Sequence, residues 1–281
     1  MDYMDWMDRM GGRRDTGHRR WRMRAIMGVL LAAACYPLAA QEVTTVELWR
    51  VGGLFGAGPL DYNADMSSLP GIPSCCPGYE DGSGTFYTIG GAFELPLATD
   101  IFFNTRLVFA NFSGTLSATE ERLVTRNMDT ATATIGHSIE LRQPAFLFEE
   151  LIGWRPIDRF RVLAGIRADF MVGGSFHQKE EILTPDDIRY ENDSRVRLEI
   201  EDDIPREQRA NVAFMAGLRY DLPLQSDGSL VLSPELFYWH GVSNLVAARR
   251  LTMSGIRLGV GVSWVRLETV EGPSPLEPES R

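Results

Sequence analysis

Lysine is almost absent from this sequence: Lys179 is the only one in 281 residues, and 28 basic against 38 acidic side chains leave a formal net charge of −10. Binding to nucleic acid needs clustered cations that neutralise phosphates, so this class of partner is excluded. Long hydrophobic runs are also missing. After residue 40 no stretch approaches the ~18 consecutive apolar residues of a spanning helix, which excludes a helical membrane anchor in that part of the chain. Cysteine is limited to Cys35, Cys75 and Cys76, and histidine occurs four times. No metal-ligand spacing and no cofactor motif results, so neither a metal nor a cofactor is expected. What the chain does have is 44% hydrophobic residues and 27 glycines, the composition of a folded domain.

Residues 1–40 have the form of an export signal. Arg13, Arg14, Arg19, Arg20, Arg22 and Arg24 precede the apolar run Ala25 to Ala34, and Ala39 and Ala40 offer a cleavage point before Gln41. The run is too short to span a bilayer. Acidic residues before position 16 and the methionines Met10 and Met23 point to an internal start. The paired arginines lack a fuller twin-arginine motif, and Ala32 stands where a lipoprotein signal before Cys35 would carry Leu, so ordinary export is expected.

Beyond the leader, period-2 alternation recurs in segments of about ten residues, the strand length of a tilted transmembrane barrel. Ile101 to Phe112 places Phe103, Thr105, Leu107 and Phe109 opposite Asn104, Arg106 and Ala110. Phe160 to Val172 alternates most regularly, with Val162, Ala164, Ile166, Ala168 and Phe170 opposite Arg161, Arg167 and Asp169. Arg209 to Leu222 and Ile256 to Trp264 repeat the design, their charges being Arg219, Asp221 and Arg257. Thr44 to Gly56, Thr85 to Leu95, about Ala131 to Trp154, and Leu230 to Trp239 complete eight strands, two of them interrupted by Pro144 and Pro234. No repeat of 20–50 residues is evident.

Connections alternate in length. Short links fall near 96–100, 155–159 and 223–229, and long ones cover roughly 57–84, 113–130, 174–208 and 240–253. That asymmetry describes short periplasmic turns and long extracellular loops. Trp154, Phe160, Tyr220 and Trp264 would form an aromatic girdle on the short-turn side, and Phe86, Phe112, Phe176, Tyr238 and Trp239 one on the other side. A soluble sandwich or lipocalin-like barrel would fill its interior with large apolar side chains, whereas here charges oppose a wide apolar face in strand after strand. The expected fold is therefore all-β: an antiparallel up-and-down transmembrane barrel over residues 41–267, followed by a Pro- and Glu-rich tail at 268–281.

In this respect the chain resembles the eight-stranded barrel superfamily of outer membrane protein A, more closely its Bacteroidota-type members. Residues 43–266 carry the likeness. Its more specific parts are Leu69-Pro-Gly-Ile-Pro-Ser-Cys-Cys-Pro-Gly-Tyr79 with Gly82-Ser-Gly84 after it, and Asn192-Asp-Ser-Arg-Val-Arg197. The resemblance implies outer-membrane localisation and a porin-like envelope role. Many such proteins continue into a peptidoglycan-binding domain, which is not expected after Leu267 here. Outer-membrane lipid, lipopolysaccharide and the barrel assembly machinery are the expected partners, with a further extracellular partner for the loops.

The interior face should carry Glu94, Asp169, Asp221 and Glu235 beside Arg106, Arg167, Arg219 and Arg257, a balanced set that interlocks into a plug. Cys75 and Cys76 are adjacent in a loop that faces an oxidising exterior, and two ligands do not make a zinc site, so a structural disulfide is expected. A lipid A deacylase-like enzyme is the rival reading. Such barrels place a His and a Ser two apart on one strand, facing lipid, with a Glu nearby. Here His137 and Ser138 are neighbours and point to opposite faces, and Glu140 does not repair this. His177 and His240 lie near loops. The acidic segment 174–208, including Glu201, Asp202 and Asp203, matches no calcium loop. A non-enzymatic barrel with a structural, adhesive or surface-interaction role is expected, with small conductance the alternative to a closed lumen.

Overall fold

A computed structural model describes residues 45–74, 77–126 and 129–269. The expected export signal with Cys35, the expected disulfide of Cys75 and Cys76, and the expected tail after Thr269 lie outside the described residues. The strands are β1 (Thr45–Met66), β2 (Tyr79–Pro96), β3 (Ile101–Arg126), β4 (Asp129–Ile157), β5 (Phe160–Met171), β6 (Ser175–Thr184), β7 (Val196–Asp203), β8 (Ala210–Tyr220), β9 (Leu222–Pro223), β10 (Leu230–Gly241) and β11 (Arg250–Thr269). Antiparallel pairing runs β1-β2-β3-β4-β5-β8-β10-β11 and returns to β1, so eight strands close a ring with no free edge at membrane level.

Several strands are far longer than the eight-strand reading gives them. β1 has 22 residues, β3 26 and β4 29, whereas about 9–11 cross a membrane. Much of the segments read as loops is strand. β3 and β4 pair without a break from Ile101↔Trp154 to Arg126↔Asp129, and 174–208 contains the β6–β7 hairpin, which pairs with the upper part of β4. β3, β4, β6 and β7 therefore continue as a four-stranded wing above the ring. The physical reason is a change of environment. Above the belt the outer face needs polar residues, and Thr, Ser and Gly on that face read locally as loop.

The side-chain alternation keeps its phase along each strand while its chemistry inverts. On β1 the inner face runs Arg50, Gly52, Leu54, Gly56, then Leu60, Tyr62, Ala64 and Met66. The outer face runs Val51 and Phe55, then the exposed Asp61, Asn63 and Asp65. β3 does the same, from Asn104 and Arg106 inside with Leu107 outside to Phe112 and Leu116 inside with Ser117 and Thr119 outside. The membrane-level section is thus apolar outside and charged inside, and the extracellular section is the reverse.

Both prolines fall where a ladder changes partner. Pro144 lies between the β4–β6 and β4–β5 pairings, and its carbonyl accepts from the Val172 N–H at 2.9 Å. Pro234 lies where β10 passes from β9 to β8. The missing N–H therefore breaks no pairing in either strand.

Candidate functional site

The interior at membrane level is a stacked network of three ion-pair clusters. Arg50, Arg106, Arg161, Arg167, Arg219 and Arg257 face Glu47, Glu94, Glu149, Asp169, Asp221 and Glu235, six charges of each sign. All but Glu47 are buried. Buried charges persist only when paired and hydrogen-bonded, which explains why the network is so closely matched.

Toward the periplasmic end, Glu94 accepts from Arg161 at 2.5 Å, Arg219 at 2.7 Å and Asn104 at 3.0 Å. Asp221 accepts from Arg50 at 2.8 Å and from the Ser233 hydroxyl at 2.8 Å, and stands 2.6 Å from Arg161. One storey up, both Arg257 terminal nitrogens donate to Glu149, at 2.6 and 2.9 Å, and Arg106 donates to Glu235 at 3.0 Å. Asn104 joins the storeys, since its Oδ1 accepts from Arg106 Nε at 2.6 Å while its amide serves Glu94. Above them Arg167 holds Asp169 through two bonds at 2.6 and 2.8 Å. Gly56 makes room for this arrangement: a Cβ there would stand 2.8 Å from the Arg257 stem.

Aromatic rings stack on the guanidinium planes. Arg161 and Arg219 lie over Phe102, Arg106 and Arg257 over Phe237, and Arg167 over Trp239 at 3.9 Å from the ring centroid. Four of the five aromatics assigned to the upper girdle prove to be interior. Phe86, Phe112, Phe176 and Trp239 are buried, and only Tyr238 faces outward with 53% exposure. Phe86, Phe112 and Trp239 pack at 5.6–5.8 Å between ring centroids, directly above Arg167. The correction follows from the strand lengths: these positions lie where the inside turns apolar. Tyr87, Phe146 and Phe170 take the outward places instead.

Above the aromatic layer the extracellular section is filled by Leu60, Leu116, Met215, Met253 and Leu251. Segments 204–209 and 245–247 bridge over it: Gln208 N–H donates to Leu245 O at 2.8 Å and Ala247 N–H to Arg206 O at 3.0 Å. A void of ≈30 Å³, room for a water molecule or two, lies between Arg50, Glu94, Arg219 and Glu235.

All eight interior charges named from the alternation lie in this network. The alternation does not give Glu47, Arg50 or Glu149, and Arg161 was on the polar face without a place in the balanced set. Glu149 is adjacent to Glu150, so only the phase of β4 tells which points inward. Glu150 faces the lipid belt, an exception to its apolar chemistry, and accepts from the Thr105 hydroxyl at 2.7 Å.

His137, Ser138 and Glu140 do not converge. His137 points inward, with Nε2 at 3.2 Å from Glu120 and Nδ1 at 3.9 Å from Glu180, while Glu140 lies exposed on the outer face that Ser138 shares. His177 pairs with Glu199 at 3.0 Å, and His240 is exposed. Among the described residues no cluster of His, Cys, Asp and Glu could hold a metal ion.

No protein-family model matches the chain, and no curated protein matches it. Solved structures do. Ail, the attachment invasion locus protein of Yersinia pestis, aligns over 77% of this chain and 99% of its own at 10% identity with a TM-score of 0.34. The outer membrane protein OprG from Pseudomonas aeruginosa aligns over 79% and 99% at 12% identity with a TM-score of 0.33. The outer membrane protease OmpT from Escherichia coli aligns over 78% and 96% at 6% identity with a TM-score of 0.30. Likeness at this level carries no argument about function; the architecture rests on the ring and its sidedness. An eight-stranded antiparallel ring, closed on itself, apolar outside and charged within, is an integral outer-membrane β-barrel.

Proposed function

We propose that the chain is a non-enzymatic, non-conducting outer-membrane barrel that presents its extracellular wing as an interaction surface, in a structural or adhesive role. The observation that carries this reading is the inversion of polarity along the strands. On this reading an ion-paired interior and an apolar cap close the barrel, while the same strands rise beyond the membrane as a second cored β-structure. Its outer face and β7 edge present exposed Glu140, Glu199, Glu201, Asp202 and Asp203. An excess of carboxylates at an open edge, where the one arginine within β7, Arg197, is turned to Glu180, opposes self-pairing and favours a partner of opposite charge. On this reading the leader over 1–40 directs export, the barrel assembly machinery inserts the chain, lipopolysaccharide surrounds it, and its kinship is with the barrels of outer membrane protein A.

The experiment replaces residues 177–201 by a short turn. Gel migration that still depends on heating should show that the ring folds, and cells carrying the trimmed chain should adhere several-fold less to basic matrix protein than cells carrying the full chain. Equal adhesion would overturn the surface role.

A further inference from the structure

The outer face of the wing carries a pocket where it leaves the membrane belt. Glu140 and Arg142 of β4, Ser175 and His177 of β6, and Glu201 of β7 line it, with buried Phe176 at its floor and a volume of ≈140 Å³. Strand register orders these residues in two rows. The lower row pairs Arg142 with Ser175, and the upper row aligns Glu140, His177 and Glu201 across three strands. Below Arg142 on the same face come Pro144 and then the exposed Phe146 and Phe148 of the lipid belt.

Arg142, Glu140 and Glu201 have no ion-pair partner among the described residues, although they share one concavity. His177 is held by Glu199. Asp203 continues the lower row beyond Ser175 without lining the pocket. Arg142 therefore stands one row nearer the membrane, with Glu140 two residues and roughly 7 Å further out along β4 and Glu201 in that same outer row two strands across. A ligand that satisfies both has an anion nearest the acyl chains and a cation beyond it.

We propose that this pocket binds the headgroup of an outer-leaflet lipid bearing phosphate and a primary ammonium, of the phosphoethanolamine type. Arg142 takes the phosphate as a charge-assisted donor, and Glu140 and Glu201 accept from the ammonium. The order of charges along β4 matches the order glycerol, phosphate, amine along such a lipid. A purely anionic headgroup would satisfy Arg142 and meet the two carboxylates as like charges. A quaternary ammonium has no N–H to give them. The site lies outside the ring and shares Glu140 and Glu201 with the acidic surface proposed above, whereas Arg142 belongs to the lipid site alone, so Arg142→Ala separates the failure of one reading from that of the other.

The test uses the full purified chain in phosphatidylcholine vesicles containing phosphatidylethanolamine or phosphatidylglycerol, with mass spectrometry of the lipids retained on extraction. Phosphatidylethanolamine should be enriched over both other lipids. Arg142→Ala, and separately Glu140→Gln with Glu201→Gln, should each reduce the enrichment about tenfold, the worth of one charge-assisted hydrogen bond. These side chains are exposed, and unchanged heat-dependent migration should show that the variants fold. Equal retention of phosphatidylglycerol, or enrichment insensitive to Arg142→Ala, would overturn the site. Soluble phosphoethanolamine binding as tightly as the lipid would overturn its lipid source.

Discussion

Glu149 lies fully buried between two arginines, accepting two bonds from Arg257 and standing 3.8 Å from Arg106. Glu149→Ala leaves both guanidinium groups with too few acceptors in a site water barely reaches. Breaking a buried pair from one side costs about 3–5 kcal/mol, so Glu149→Ala and Glu94→Ala should each lower the denaturant midpoint in detergent sharply. Glu149→Ala combined with Arg257→Ala should recover part of the loss, because the pair is removed together. Neutral single variants would mean that the charges are not mutually dependent. Glu150, one residue away and facing lipid, provides the contrast: its removal frees only the Thr105 hydroxyl.

At the scale of the element, sidedness sets the outcome of substitution. Ile166 and Leu218 face lipid, with exposures of 51% and 41%, whereas Arg167 is interior. Ile166→Arg or Leu218→Arg places a charge against hydrocarbon, at about 2–4 kcal/mol near the midplane. Folded yield in the outer membrane should drop further for either than for Arg167→Leu, and equal yields would reverse the face assignment. The alternation that supports this was legible in β5, β8 and β11, where large apolar residues oppose charges. It was not legible above the belt. Thr130, Thr132 and Thr134 alternate with Ala131, Ala133 and Ile135, a period of two written in residues too small and too polar to stand out. Nor was Arg50 given, because β1 shifts register between Glu47 and Trp49 and local counting loses its phase there.

For the molecule as a whole, eight strands leave an interior that side chains can fill, and here they do so with two different materials. Ion pairs occupy the membrane section and aromatic and aliphatic side chains the section above. Purified protein in planar bilayers should give no steady conductance, and steady large channels would contradict the proposed closure of the interior. The inversion of polarity also bears on which insertions and deletions the gene can tolerate. A one-residue deletion at the start of β3, before Asn104, exchanges the two faces of everything beyond it in the strand, sending Arg106 toward lipid and, further along, Phe112 and Leu116 toward water, two failures from one event. A two-residue deletion preserves both faces and moves only the height at which the code changes over, like a scale sliding past its mark. Away from bulges such as the one in β1, strand length is therefore quantised in pairs, and relatives of this chain are expected to vary it in even steps wherever no bulge absorbs the odd residue.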